Sequence, residues 1–267
     1  MTETSIRSFS RPTRPGALLD ASGITKRFSG ITALNGVDLD VQPGEMVGLI
    51  GPNGAGKTTF FNCLLGMLRP ESGTVHFDGQ DITRLPVHRR ARLGFGRTFQ
   101  RLELFSGMTV REHFLVTERA RRGTGRLWKD LLNLAKPSAD EQALAERMID
   151  IVGLQAEADK PVESLSLGRG RLVELGRALM TQPKLLLLDE PSSGLDVRET
   201  ASLADKLAVV QTEHEFAVLL VEHDVEMVSN LVTRLYVLDF GELIAAGPTQ
   251  DVLGDEAVRK AYLGDMV

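Results

Sequence analysis

An α/β fold interrupted by a helical insert is what this sequence predicts, and three observations carry the prediction. Short apolar runs of strand length, Met46–Ile50, Leu185–Leu188 and Ala217–Val221, alternate with stretches of helical spacing, the pattern of parallel βαβ units. Two of these runs end in residues with chemical potential, a glycine-rich loop after Ile50 and paired carboxylates after Leu188. From about residue 101 to 180 the strand signal gives way to helical periodicity.

Residues 1–16 are rich in Ser, Thr, Arg and Pro and lack the apolar centre of a secretion signal, so they are read as a disordered lead-in. Over 17–50, Leu18, Ile24, Phe28, Ile31, Leu34, Val37, Leu39 and Val41 punctuate polar residues, with Gly30, Gly36 and Gly44 as turn signals, and strands are expected. The apolar spacing of Phe60, Phe61, Leu64 and Leu65 suits a helix after the glycine loop, and Thr74–Phe77 reads as a strand ending at Asp78-Gly79. Ser138 and Glu141 form a capping box after Pro137. Leu144, Met148, Ile151 and Val152 then share a helical face that Gly153 closes. Beyond the strand at 185–188 come a helix around 197–211, the strand 217–221, a helix from about 224 and a late strand at 235–238. The resulting division is a core of 17–100 and 181–267 with a helical part at 101–180.

Composition sets outer bounds. The chain has 267 residues, 42% hydrophobic and 25% charged, enough for one large domain or one domain with a sub-domain. Its net charge of −5 gives no global reason to expect nucleic acid as a partner. No apolar run reaches the ~18 residues needed to cross a bilayer. Cys63 is the single cysteine, so an intrachain disulfide is excluded; its place on an apolar stretch favours core packing over reactivity.

The chemistry begins at Gly51, Pro52, Asn53, Gly54, Ala55, Gly56, Lys57 and Thr58, which fit G-x-x-x-x-G-K-[ST] between a strand and a helix. Such a loop wraps backbone N–H groups around a nucleotide's phosphates, and Thr59 follows it into the helix. Asp189 and Glu190 stand at the carboxyl end of a four-leucine strand, where open α/β sheets place ligands. Asp189 is expected to hold Mg2+ through water, with Thr58 as a direct ligand, and Glu190 to orient or deprotonate the attacking water. His223 ends another strand and is expected to face the γ-phosphate, whereas His76, His88, His113 and His214 read as surface or satisfied core. Gln100, after Gly96-Arg-Thr-Phe99, is a candidate to bond Mg2+ or the attacking water at the entry to the helical part; a solvated glutamine fits the spacing equally well. The segment Leu165–Arg171 opens a helix in which Gly168, Gly170 and Gly176 each cost about 1 kcal/mol of helix propensity, so close packing or close ligand approach is the expected reason for them. Arg169 and Arg171 at the positive end of that helix imply an anion there, with Ser166 as its binder.

In this order these pieces resemble the ATP-binding subunits of ABC transporters, over about residues 17–267. The glycine loop, Gln100, Ser166–Arg171, Leu185–Glu190, Ser193-Gly-Leu-Asp196 and His223 match that family's successive motifs. Within the family, Gly94–Gln100, Leu104–Val110, Val221-Glu-His-Asp224 and Ala261-Tyr-Leu-Gly264 look most like the branched-chain amino acid importer ATPases. The resemblance implies a P-loop NTPase core of RecA-like type, with an antiparallel β subdomain and an α-helical subdomain insert. It implies ATP and Mg2+ as cofactors, and two ATP-binding subunits packed head to tail. Ser166 and Gly168 would then bind the γ-phosphate held by the opposite subunit, Asp196 would line the shared interface, and Phe28 would stack on adenine. Integral-membrane permease subunits, a periplasmic solute-binding protein and a place on the cytoplasmic face of the inner membrane are implied as well.

Leu167 and Arg169 depart from the common Leu-Ser-Gly-Gly-Gln signature while Ser166 and Gly168 persist, so the phosphate contact is expected to survive. Leu102, Leu104 and Phe105 are candidates for a groove that takes a short helix of the membrane subunit, or for plain core. The basic stretch Arg119, Arg121, Arg122, Arg126 and Lys129 is read as solvated surface ahead of lipid contact. An exporter ATPase of the lipopolysaccharide-transport type is the alternative within transport. A soluble ABC-type ATPase of DNA repair or translation is the alternative outside it, disfavoured because the sequence shows one glycine loop, one cysteine and no sustained heptads.

Overall fold

Residues 16–98, 104–122 and 137–263 are described by the structure, a computed structural model. The glycine at 30 and the strained Ser29, both at positive φ, turn the chain between β1 (Leu19–Phe28) and β2 (Ile31–Val41), which pair antiparallel. β4 (Ser72–Phe77) and the short β5 (Gln80–Asp81) complete a four-stranded sheet in the order β2-β1-β4-β5.

The second sheet has six strands in the order β10-β9-β3-β8-β7-β6. β3 (Met46–Ile50), β7 (Leu185–Asp189) and β8 (Ala217–Val221) are buried along their whole length, as strands covered on both faces must be. β3, β6 (Phe95–Arg97), β7, β8 and β9 (Arg234–Asp239) run parallel, and β10 (Glu242–Pro248) turns back against β9. The strand period of two divides the core. Leu186, Leu188, Val218 and Leu220 join one cluster, while Leu185, Leu187, Leu219 and Val221 join another on the opposite face.

Helix α1 (Lys57–Leu65) packs Phe60, Phe61, Cys63 and Leu64 into the cluster shared with the antiparallel sheet. The other cluster takes α3 (Val110–Arg122), α4 (Ala139–Val152) and α5 (Leu167–Met180). The capping box of Ser138 and Glu141 is formed, and Gly153 ends α4 in the left-handed conformation. Helix α6 runs Val197–His214, a turn beyond the expected end, and α7 runs Val225–Leu231. Helix α2 (Val87–Leu93), strands β6 and β10, and the terminal helices α8 (Thr249–Gly254) and α9 (Glu256–Leu263) were not anticipated from the sequence. All are short, and elements of this length depend on their neighbours for order. Among the described residues no helix is long and apolar enough to cross a membrane. Residues 1–15 of the 1–16 lead-in and Gln100 lie outside the described residues, as do Leu102, Arg126, Lys129 and Gly264.

Candidate functional site

The loop after β3 is shaped by its glycines. Gly51, Gly54 and Gly56 have φ of 157°, 81° and 105°. A Cβ on Gly51 would stand 2.0 Å from the Leu238 carbonyl oxygen, and one on Gly56 2.6 Å from that of Ala33. The loop is thus pressed between β9 and the β2 hairpin arm, and only glycine fits there. Gly56 begins α1 with no side-chain cap, and the first turn contains no acidic residue. A helix start of this kind presents N–H groups to an anion. Thr58 is exposed at that start and Thr59 is half-buried, while Pro52, Asn53, Gly54 and Ala55 line a cavity shared with Phe240 and Lys260.

Lys57 is 6% exposed and donates to the carbonyls of Gly51 (2.6 Å) and Pro52 (3.1 Å). Burial pushes its pKa down, partly offset by the carboxylates of Glu190 and Asp189. The lysine and both strand-end acids therefore share one electrostatic environment. Asp189 ends β7 opposite Val221 of β8 and is buried. Burial raises its pKa, Glu190 raises it further, and Arg97 and Lys57 act the other way. The buried Asp189 carboxylate thus lies among two acids, Glu190 and Glu222, and two cations, Arg97 and Lys57.

Glu190 sits at φ 47°, a left-handed conformation that costs a non-glycine residue of order 1–3 kcal/mol. Its N–H donates to the Val221 carbonyl at 2.8 Å, which holds the strained turn against β8. His223 follows β8 by two residues, with a side chain 58% exposed. The neighbouring Glu222 is fully buried. Its burial depends on the tertiary fold, which the sequence pattern around His223 does not reveal.

Ser166, Gly168 and Asp196 form a separate group. Ser166 caps α5, accepts from the Arg169 N–H at 3.3 Å, and donates its hydroxyl to Glu199 Oε1 at 3.0 Å. A Cβ on Gly168 would meet the same Glu199 carboxyl at 2.7 Å. Asp196 caps α6 and accepts from the Glu199 N–H at 2.8 Å. Within the chain, the Glu199 carboxyl meets this helix start. Arg169 pairs with Glu157 at 2.9 Å and Arg171 with Glu174 at 3.0 Å, so their charges do not require an external ligand. Gly176 is explained by packing, since a Cβ there would press on the Phe114 ring at 2.8 Å.

Phe28 is 43% exposed at the end of β1, with the Lys26 ammonium 5.3 Å from its ring centre, so it is not strand core. Leu104 packs against the main cluster, whereas Phe105 is 52% exposed and stacks on His113 at 5.8 Å. Of the three groove candidates, Leu104 is partly buried, Phe105 lies at the surface and Leu102 is outside the described residues. Arg119 pairs with Glu141 and Arg121 with Glu118, which ties down part of the basic stretch. The Cys63 thiol is buried and pushed up to about 11, the behaviour of a packing residue.

Residues 34–193 match the family described as ABC transporter, and residues 242–267 match the one described as branched-chain amino acid ATP-binding cassette transporter. The high-affinity branched-chain amino acid transport ATP-binding protein BraF of Pseudomonas aeruginosa is 39% identical over 250 residues, covering 93% of this chain and 98% of that protein. The corresponding protein LivG of Escherichia coli K12 is 40% identical over 253 residues, with the same coverage of 93% and 98%. The crystal structure of an ATP-binding cassette of an ABC transporter in its ADP conformation superposes with a TM-score of 0.81 at 31% identity, over 93% of this chain and 99% of that one.

Proposed function

This chain belongs to the ABC transporter ATP-binding family, and from that premise we propose that it powers uptake of branched-chain or related amino acids through partner membrane subunits. As a member of the family it is an ATP-binding, ATPase subunit of a transporter. The observation that carries the import reading is the match of residues 242–267 to the branched-chain cassette model, outside the cassette shared by importers and exporters alike. The lipopolysaccharide-export alternative has the weaker match, 34% identity against 39% and 40%. The division into a core of 17–100 and 181–267 with a helical part at 101–180 belongs to the same reading.

In this reading ATP enters between the glycine loop of one subunit and the Ser166 helix of a second, identical or related, packed head to tail. Lys57 exchanges its two carbonyl partners for phosphate oxygens, and the N–H groups at the start of α1 complete the cradle. The exposed Phe28 ring receives the adenine face. Thr58, Asp189 and Gln100 would hold Mg2+, whose chemistry is to neutralise charge on the phosphates. One hydroxyl, one amide and one buried carboxylate suit that ion, which takes few protein ligands beside phosphate. Glu190 orients the attacking water and accepts its proton, and His223 faces the γ-phosphate from the next strand. Ser166 and Gly168 of the second subunit bind the γ-phosphate once Ser166 gives up Glu199, while Asp196 lines the seam. Loss of the γ-phosphate removes those bonds and the pair opens. A periplasmic solute-binding protein delivers the amino acid, and the chain rests on the cytoplasmic face of the inner membrane.

The test is reconstitution of the full chain with its genomically adjacent membrane subunits in vesicles. Uptake of labelled leucine, isoleucine or valine that needs both ATP and the solute-binding protein is the expected result. ATP turnover without uptake of any of the three, whatever binding protein is supplied, would overturn the assignment of cargo.

A further inference from the structure

Glu222 is a carboxylate with no accessible surface, one residue past β8. A charge buried this deeply persists only where hydrogen bonds replace water. Its two oxygens do different jobs. Oε1 accepts the Ser192 N–H at 2.8 Å, in the turn that begins with Glu190. Oε2 accepts the His223 N–H at 3.1 Å, and the His223 ring nitrogen Nδ1 lies 3.6 Å from the same oxygen. The backbone N–H of Glu222 itself donates to the Leu49 carbonyl of β3 at 3.4 Å, in the strand that leads into the phosphate loop.

The turn bearing Glu190 is therefore fastened to the end of β8 twice. Glu190 N–H donates to the Val221 carbonyl at 2.8 Å, and Ser192 N–H donates to the adjacent Glu222 side chain at 2.8 Å. Between these two anchors the chain passes through the left-handed Glu190, φ 47°, and Pro191. A residue so strained keeps its geometry only where its surroundings impose it. Hydrogen bonds to a charged acceptor are stronger than neutral ones, which makes Glu222 the firmer of the two fastenings.

We propose that Glu222 is a positioning residue for hydrolysis: its single carboxylate joins the turn that carries Glu190 to the loop that carries His223, so that both reach the γ-phosphate as one unit. The proposal rests on the roles given to Glu190 and His223 above. It has a chemical corollary. A glutamine at 222 keeps the shape but offers one acceptor oxygen in place of two, and turns an NH2 donor toward a backbone N–H. Such a variant loses one of the two bonds and breaks the link without opening a cavity.

The experiment uses the full chain assembled with its membrane subunits, comparing Glu222→Gln, Glu222→Asp, His223→Ala, Glu190→Gln and the double variant E222Q/H223A. Misplacing a catalytic group by ~1 Å costs up to about a hundredfold in rate. E222Q is thus expected to lower kcat about tenfold, with KM for MgATP within about twofold of wild type. E222D, which retains both acceptors on a shorter arm, is expected to fall between the two and serves as the test should E222Q fold poorly. The double variant is expected to be no slower than H223A, because the two act on one geometry. Amide exchange at Ser192 and His223 is expected to quicken together in E222Q and not in E190Q. Unchanged kcat in E222Q, losses that multiply in the double variant, or a fall in kcat accompanied by lost ATP binding and a lowered Tm would each overturn the proposal. If E190Q and H223A themselves leave kcat intact, the failure lies in the roles of those two residues, and Glu222 then has nothing to position.

Discussion

Buried polar groups at the site are held by specific partners, and single atoms decide the outcome. Lys57 donates to the Gly51 and Pro52 carbonyls, which keeps an ammonium satisfied inside the loop. Gly51 permits this. Its φ of 157° and the 2.0 Å approach that a Cβ would make to the Leu238 carbonyl leave no room for a side chain. Gly51→Ala is expected to cost about 3 kcal/mol through forced backbone movement, read as a lower urea midpoint at unchanged m-value. ATP affinity in the surviving folded fraction should fall as well, since the loop itself must shift.

Among the helices and their connecting loops, the segment before α3 depends on one buried imidazole. His113 accepts the Phe105 N–H at Nε2 (2.9 Å) and places Nδ1 2.9 Å from the Thr109 carbonyl, an arrangement that fixes the neutral ring with its proton on Nδ1. Burial lowers its pKa below the ordinary 6.5, Arg177 adds to that, and the Thr109 bond opposes it. In acid the unfolded chain takes up this proton before the folded one does. Stability is therefore fully present above about pH 6.5 and declines as pH falls below that value toward the folded pKa. Urea midpoints measured from pH 8 to pH 5 should show the decline, and His113→Gln should flatten it. The α4 capping box and the Arg90 guanidinium are local devices of another kind. Arg90 donates to the Cys63 and Leu64 carbonyls at 2.9 and 2.6 Å and so closes the C-terminal end of α1.

Across the molecule, the two sheets are joined by a buried ionic clasp. Arg234 of β9 grips Asp40 of β2 through two bonds of 2.9 Å and Glu45, just before β3, through two of 2.8 Å, while the Tyr236 hydroxyl donates to Asp40 at 2.8 Å. Burial alone would raise the Asp40 pKa, but the bonds from Arg234 and Tyr236 hold it below 3.8. Removing one partner of such a cluster strands the others in a dry site. Arg234→Met is expected to destabilise the fold by about 3–5 kcal/mol, measured by urea unfolding at pH 7. At the scale of the assembly, Glu190→Gln should stop turnover while sparing nucleotide contacts. Two subunits are then expected to stay paired in MgATP, with a doubled mass by light scattering that reverts in MgADP. A monomer at saturating MgATP, with the membrane subunits supplied, would reject the head-to-tail arrangement. Moving such a pair from about 1% to 99% closed takes about 5.5 kcal/mol of differential binding, which two nucleotides bonded across the seam can supply.

The order of elements and the nucleotide loop were legible in the sequence because they depend on local spacing. Runs such as Leu185–Leu188 announce a strand buried on both faces, the glycines of 51–56 announce a phosphate cradle, and Ser138 with Glu141 announces a cap three residues away. Short pieces such as β6, at the edge of the parallel sheet, lack enough residues to show a period, and only their pairing defines them. The partners of charged and polar side chains were equally out of reach. Glu157 on Arg169, Glu199 on Ser166 and Glu45 on Arg234 lie 12, 33 and 189 residues away along the chain. Which acid answers which group is set by where the folded elements bring them, irrespective of separation in sequence. The sequence by itself determined the longer elements and the glycine loop; the tertiary structure decided the short elements and which charges are satisfied within the chain, because both depend on contacts between segments far apart in sequence.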